Sequence, residues 1–186
     1  ANANKLMGRF LYGLKKKSEY ALISLTGGQK DNAITRECTA EFLTDSVAEV
    51  KAYAKELQEQ VREEYTGSDE NITFEITEKD TATAEVLHPT SQEKIVFYLQ
   101  NVPFGIQKMS GTIEGLVETS SNIGILRLDE DELFASSSVR SSVDAACSAL
   151  SDKIEYLTEF LGGDYEVQGA YPAWEYRKDS PLRDKM

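Results

Sequence analysis

The chain has 186 residues and a formal net charge of −12 at pH 7, with 40% hydrophobic and 28% charged residues. This length suits one domain or two small ones with a real core. The acidic balance argues against nucleic acid, whose phosphates need clustered Lys and Arg. No apolar run approaches the roughly eighteen residues needed to cross a bilayer. We therefore expect a cytoplasmic protein that binds neither nucleic acid nor membrane.

The chain contains few residues suited to metal binding or nucleophilic catalysis. His88 is its single histidine, and Cys38 and Cys147 are its two cysteines, which we expect to be reduced thiols. No Cys-x-x-Cys, His-x-x-x-His or His-x-Asp pattern occurs, so these residues do not form a recognisable zinc site. No glycine-rich loop follows a strand, and nothing around His88 supports a Ser-His-Asp triad. We predict no metal ligand, cofactor site or catalytic residue in this chain.

Hydrophobic periodicity predicts helices that alternate with hairpins. The predicted helices cover residues 1–17, 44–64, 90–102 and 143–161, the last one stopped by Gly162 and Gly163. The predicted strands cover residues 20–25, 33–43, 72–77, 81–87, 121–129, 133–141 and 165–170, and residues 104–114 are expected to be irregular. Asn2 or Asn4 could cap the first helix, and Thr90-x-x-Glu93 is typical of a capping box. Glu130 and Asp131 are interpreted as a tight turn.

This order repeats as helix, hairpin, helix and strand, twice. It predicts an α+β two-layer sandwich of ferredoxin-like type, an antiparallel sheet with helices on one face. The predicted domain covers residues 1–175, with sub-units of about 1–88 and 89–175, and residues 176–186 form an exit segment. Because a helix starts abruptly at the first residue, we expect the chain to be a segment of a longer protein.

Arg140 is the first candidate functional residue. Strand alternation in ELFASSSVRSS separates two faces, Leu133, Ala135, Ser137 and Val139 on one, and Phe134, Ser136, Ser138 and Arg140 on the other. If the first face packs on the following helix, Arg140 stands on the open face beside small hydroxyl residues. Its planar guanidinium suits a carboxylate. The alternative is a surface arginine that pairs with Asp144 or with nothing.

Five stretches in series resemble one family. They are ANANKLMGRF at the start, GGQKDNAITRE at 27–37, GLVETSSNIG at 115–124, VRSSVD at 139–144, and GAYPAW with Ser180–Pro181. Together they resemble the aminoacyl-histidine dipeptidases, members of the dinuclear-zinc aminoacylases and carboxypeptidases. The resemblance spans nearly the whole chain and implies the lid alone, an α+β domain that is inserted into the zinc-binding catalytic domain and forms the dimer.

The resemblance also implies roles for two residues. Asn32, in DNAITRE, would help to position substrate over the zinc site, and Arg140 would receive the substrate's terminal carboxylate. From the residues alone, the favoured explanation of Asn32 is a turn residue that tolerates an unusual backbone conformation. Thr35 stands where the family usually has proline, so we expect a less fixed backbone at Asn32. The family's lid histidine lies in a motif upstream of ANANK, and His88 does not replace it.

The function implied is therefore that of a lid and dimerisation domain. In the parent enzyme two zinc ions in the catalytic domain would polarise the scissile carbonyl and activate water, and the substrates would be short peptides, Xaa-His among them. The lid alone is expected to be inactive. The alternatives are a stand-alone ferredoxin-like ligand-binding module, with Arg140 as an anion receptor, and a plain assembly domain.

Overall fold

The elements follow the mixed order that the sequence predicts. The computed structural model describes residues 1–79, 84–129 and 132–173, and within them the chain forms four helices and five strands. The helices are α1 (Ala3–Leu14), α2 (Val47–Glu64), α3 (Pro89–Asn101) and α4 (Asp144–Phe160). The strands are β1 (Ala21–Gly27), β2 (Cys38–Leu43), β3 (Gly105–Met109), β4 (Val117–Leu128) and β5 (Leu133–Ser141). The predicted α+β class is confirmed. None of these helices has the length and apolar character of a membrane span.

The strands form an antiparallel sheet with the order β2-β1-β4-β3, and β5 pairs with β4 outside this order. β1 runs antiparallel to β2 and to β4, and β3 runs antiparallel to β4. Leu25 in β1 is in register with Ala40 of β2 and with Leu128 of β4. The first and second halves of the sequence therefore meet in the middle of the sheet.

The chain divides into two compact units that interleave along the sequence. Unit 1 comprises Ala1–Val102 and Asn122–Ser138, and unit 2 comprises Pro103–Ser121 and the described residues from Val139 onwards. β4 and β5 each contribute residues to both units. This division differs from the halves expected to meet near residue 88, because the end of β4 pairs with β1 and so belongs to unit 1. The outer boundary at 175 stays a prediction, and the exit segment lies outside the described residues.

Unit 1 has a dense core. Its α1 packs against α2, α3 and β2, and α3 packs against β1. The Phe10 ring of α1 stacks on Tyr53 at a centroid distance of 5.6 Å and on Phe74 at 5.8 Å. Gly8 lets α1 approach α3 closely, since a Cβ there would lie 2.6 Å from Leu99 Cβ. The fully buried leucines of this core are Leu11, Leu14, Leu22, Leu25, Leu57, Leu99 and Leu126.

One charged side chain ties α1 to the end of α3. The Lys5 ammonium donates to the carbonyls of Leu99, of Gln100 at 3.2 Å and of Val102 at 3.1 Å. These carbonyls lie at the helix C-terminus, where the backbone lacks partners within the helix and the macrodipole favours a cation. Burial lowers the pKa of Lys5 to about 8. Lys5 therefore supplies hydrogen bonds to the free carbonyls at the end of α3, and its ammonium group loses contact with water in doing so.

Unit 2 has little buried apolar surface. Among its described residues the buried apolar side chains are Pro103 and, on α4, Leu150 and Ile154. Polar contacts carry much of its organisation. The hydroxyls of Thr119 and Ser141 lie 2.9 Å apart, and those of Ser151 and Tyr165 lie 2.8 Å apart.

The predicted helices are present, with changes at their ends. α1 is shorter than predicted, and Asn2 caps it by accepting from the Lys5 N–H at 3.2 Å. The capping box at Thr90 is wrong. The N-cap of α3 is His88, whose Nδ1 accepts from the Thr90 N–H at 3.2 Å, with Pro89 at the first helical position. The Glu93 carboxylate instead pairs with Lys15 at 2.5 Å.

The strand predictions are confirmed in part. β5 has the predicted bounds, whereas residues 72–77 and 165–170 are not strands. Residues 104–114, expected to be irregular, contain β3. Of the strand predicted at 81–87, residues 84–87 are not in a strand, although the Leu87 N–H donates to the Leu22 carbonyl at 2.8 Å. The rest of that prediction and the turn at Glu130 and Asp131 lie outside the described residues.

Candidate functional site

Arg140 is exposed on β5, as the strand alternation predicts. The Ser142 N–H donates to the Glu118 carbonyl at 3.0 Å, and the side chains of Thr119 and Ser141 meet across the strands. This antiparallel register puts Arg140 opposite Ser120. Thr119 is buried, and neighbouring residues of a strand point to opposite faces, so Arg140 and Ser120 share the other face.

The guanidinium of Arg140 has no hydrogen bond or ion pair with another residue of the described ranges. The pairing with Asp144 that the sequence left open is not seen. The Asp144 Oδ1 accepts from the Ala173 N–H at 2.7 Å, which ties the residues after α4 back to the start of that helix. An exposed guanidinium with an unused fork can accept a carboxylate through two parallel hydrogen bonds.

Asn32 lies in the loop between β1 and β2 and is exposed. Its backbone N–H donates to Asp31 Oδ1 at 2.8 Å, a local bond of the kind that shapes asparagine- and aspartate-rich turns. In this loop the side chain that forms the turn-type hydrogen bond is therefore that of Asp31. The Asn32 side chain forms no hydrogen bond with the described residues, so its amide can still bond a ligand.

Thr35, which stands where the family usually has proline, is buried and anchored. Its hydroxyl hydrogen-bonds the carbonyls of Ile123 and Gly124, each at 3.0 Å, and lies 3.3 Å from the Asn4 amide. Its own carbonyl accepts from the Ala3 N–H at 2.9 Å. Hydrogen bonds with β4 and α1 therefore hold Thr35 in place, and the expectation of a less fixed backbone at Asn32 stays a prediction.

Comparisons with known proteins show what the chain as a whole is similar to. A model of the peptidase dimerisation domain matches residues 1–69. The cytosol non-specific dipeptidase of Escherichia coli (strain K12) is 28% identical over 183 residues, which is 97% of this chain and 38% of that protein. The crystal structure of aminoacylhistidine dipeptidase from Vibrio alginolyticus superposes with a TM-score of 0.86 at 29% identity, covering 99% of this chain and 38% of that one.

The resemblance to the lid and dimerisation domain of the aminoacyl-histidine dipeptidases is confirmed. The chain spans about 38% of the length of each of these two relatives, so it corresponds to one part of a dipeptidase. The antiparallel sheet with its helices is the architecture of that part. Residues 1–69 match the peptidase dimerisation domain, and nearly all of the chain superposes on part of the aminoacylhistidine dipeptidase.

The described side chains of this chain do not form a site that fits a zinc ion. Within the described ranges, no three His, Cys, Asp or Glu side chains converge as a metal site would require. His88 uses Nδ1 to cap α3. Burial raises the pKa of Cys38 to about 12, so its thiol keeps the proton that a metal ligand must lose. We therefore derive no chemical step through a metal from these residues.

Proposed function

We propose that the chain is the lid and dimerisation domain of a cytoplasmic, zinc-dependent dipeptidase that hydrolyses short peptides, with Xaa-His dipeptides among its substrates. The observation that carries this proposal is the match over 99% of the chain to 38% of an aminoacylhistidine dipeptidase. The remaining part of the longer protein would hold the two zinc ions and the proton-transferring residues. The lid closes the active-site cleft over the substrate.

Arg140 binds the terminal carboxylate of the dipeptide in this proposal. Three features support the assignment: its exposure on β5, its lack of an ion-pair partner within the described residues, and the small Ser120 opposite it. A substrate carboxylate would gain a charge-assisted, bidentate contact without first breaking an internal pair. Asn32 would supply a second, neutral contact, and its exposed side chain is consistent with that role.

The proposal includes a homodimer formed through this domain. The match to a peptidase dimerisation domain supports it, as does the apolar surface of unit 2. Exposed side chains there include Ile106 on β3 and Tyr156 and Phe160 on α4, which are 60%, 72% and 74% exposed. These side chains would be covered in the proposed dimer.

The decisive measurement compares dipeptides with a free and an amidated C-terminus, using the full-length enzyme. We expect Arg140→Ala to raise KM for the free-carboxylate dipeptide about 10- to 100-fold, the worth of a hydrogen-bonded charge. KM for the amidated dipeptide should stay unchanged. Arg127→Ala is the matched control, because Arg127 is also exposed on the sheet but pairs with Asp129 at 2.9 Å. If Arg140→Ala changed KM equally for both dipeptides, Arg140 would not bind the substrate carboxylate.

A second measurement tests the division of labour between the domains. The purified chain alone should show no dipeptidase activity, whereas the full-length protein should hydrolyse Xaa-His dipeptides and lose activity with a zinc chelator. Hydrolysis by the isolated chain, at a rate that survives repeated purification, would contradict the assignment as a lid.

A further inference from the structure

We propose that Asn122 is a positioning residue that holds the backbone on both sides of Asn32 and so presents the Asn32 side chain to the dipeptide. This inference rests on the proposed substrate role of Asn32. Asn122 lies on β4, ninety positions after Asn32 in the sequence. In this proposal it fixes the loop around Asn32, which sequence analysis alone explains as a turn.

The geometry of the contact is specific to residue 32. The Asn122 Nδ2 donates to the Ala33 carbonyl at 2.8 Å and lies 3.5 Å from the Asp31 carbonyl. These are the residues immediately before and after Asn32. One amide group therefore contacts the main chain on either side of the candidate side chain, while leaving that side chain exposed.

A second asparagine sets the orientation of the first. Asn2 is buried, and its Nδ2 donates to Asn122 Oδ1 and to the Ile123 carbonyl, each at 2.9 Å. Since Asn122 Oδ1 accepts this bond, its Nδ2 is directed towards the loop. The Asn2 Oδ1 in turn caps α1. The relay from α1 to Asn122 to the loop uses the polar atoms of both amides, so little rotation is open to either side chain.

The backbone beneath the loop leaves no room for a side chain. A Cβ at Gly124 would lie 2.2 Å from the Asp31 carbonyl oxygen and 2.3 Å from that of Lys30. These contacts are to main-chain atoms, which cannot move aside as the end of a flexible side chain would. The loop therefore rests directly on β4, and Thr35 fixes its far end through the Ile123 and Gly124 carbonyls.

Positioning of this kind predicts a catalytic effect without a direct contact to substrate. Displacement of a binding group by about 1 Å can lower the rate about 100-fold. Asn122→Asp keeps the acceptor for Asn2 but removes the donor to Ala33 and Asp31. In the full-length enzyme we expect it to lower kcat/KM for the dipeptide about 10- to 100-fold. We also expect faster hydrogen exchange in the peptide that covers residues 30–36.

Asn101→Asp is the matched control. Asn101 also donates from Nδ2 to a backbone carbonyl, that of Phe97 at 2.8 Å, but it lies at the end of α3. This variant should leave kcat/KM within about twofold, in line with surface substitutions. Gly124→Ala is a second, independent variant, because its methyl group would push the loop away without touching Asn122. It should reproduce both the loss of kcat/KM and the faster exchange.

A double-mutant cycle with Asn32→Ala decides between the proposals. If Asn122 acts through Asn32, Asn122→Asp should have little further effect in the Asn32→Ala background. Independent, additive losses would overturn the positioning role. A normal kcat/KM in Asn122→Asp and Gly124→Ala, with a loss in Asn32→Ala, would overturn this inference and leave the proposed function standing. No loss in Asn32→Ala would instead remove the substrate role of Asn32, and the positioning role with it.

Discussion

Unit 1 and unit 2 differ in how they are stabilised. Unit 1 buries a continuous set of leucines, aromatic rings and β-branched residues from three helices and the sheet. In unit 2, the buried apolar side chains among the described residues are Pro103, Leu150 and Ile154, whereas Ile106, Met109, Tyr156 and Phe160 are exposed. Unit 1 therefore buries many more apolar side chains than unit 2, although it also exposes some, such as Ile34 at 63%. The exposed apolar side chains of unit 2 have no comparable core beside them and are available for the contacts of the proposed dimer.

The two candidate substrate-binding residues, Asn32 and Arg140, belong to different units. Asn32 belongs to unit 1, where Asn122 and Thr35 connect its loop to the core. Arg140 belongs to unit 2 and projects from a regular strand. Asn32 is therefore fixed by hydrogen bonds from distant residues, whereas the direction of Arg140 follows from strand geometry alone.

The largest expected effect is on stability and tests the contrast in packing. Leu99→Ala, in the core of unit 1, should lower the free energy of unfolding by about 2–5 kcal/mol because it leaves a cavity. Leu116→Ala, the same change at a residue of unit 2 that is 41% exposed, should cost about 0.5 kcal/mol. Chemical denaturation gives both values. Similar losses in the two variants would mean that the contrast in packing is wrong.

The next effect is on association. Ile106 is 60% exposed on β3, and an aspartate there would have to be desolvated in any apolar contact. We expect Ile106→Asp to raise the dimer dissociation constant about tenfold or more. Val86→Asp, at a residue of unit 1 that is 43% exposed, is the control and should leave it unchanged. Analytical ultracentrifugation measures both. If both variants weakened the dimer equally, the dimer surface could not be assigned to unit 2.

The smallest effect is a pH dependence at Cys38. Burial raises the pKa of this thiol from 9.0 to about 12. Above pH 9 the unfolded chain releases the proton while the folded chain keeps it, so the stabilising contribution, complete below pH 9, is lost as the pH rises towards 12. Cys38→Ala should therefore lose stability less steeply than wild type between pH 9 and 12. Chemical denaturation at several pH values measures both slopes, and an equal slope for Cys38→Ala and wild type would contradict the assignment.

Much of the fold could be predicted because local patterns and burial agree. Alternation in β5 and the stripe of α4 gave both elements close to their observed bounds. The prediction failed at residues 72–77, although Ile72, Phe74 and Ile76 do alternate in burial as a strand would. Their backbone bonds side chains of α2 instead, with the Phe74 N–H donating to Gln58 Oε1 at 2.9 Å. Alternation reports which face is buried, and it does not report what the backbone pairs with.

β3 was missed for the opposite reason. Its burial pattern has no alternation, since four of its five residues are exposed and the strand contains register shifts. Pairing with β4 stabilises it, and that contact is not visible in its own composition. The same holds for the capping of α3, where the Nδ1 of His88 does what a Thr90 hydroxyl was expected to do.

The candidate site was predictable only where local sequence determines geometry. The exposure of Arg140 follows from strand alternation. The contacts of Asn122 with the loop do not, because they join residues ninety positions apart and depend on the pairing of whole elements. The only hint in the sequence is an amide side chain at Asn122, two positions before Gly124 in β4.

Thr35 has a consequence for how this region becomes ordered. A proline restricts the main chain in the unfolded ensemble as well as in the native state. Thr35 restricts nothing until β4 is in place to accept the hydrogen bonds of its hydroxyl and α1 is in place to donate to its hydroxyl and its carbonyl. The segment around Asn32 should therefore acquire its native conformation late in refolding, together with the docking of α1 on the sheet, and should be among the first to open when that docking is weakened.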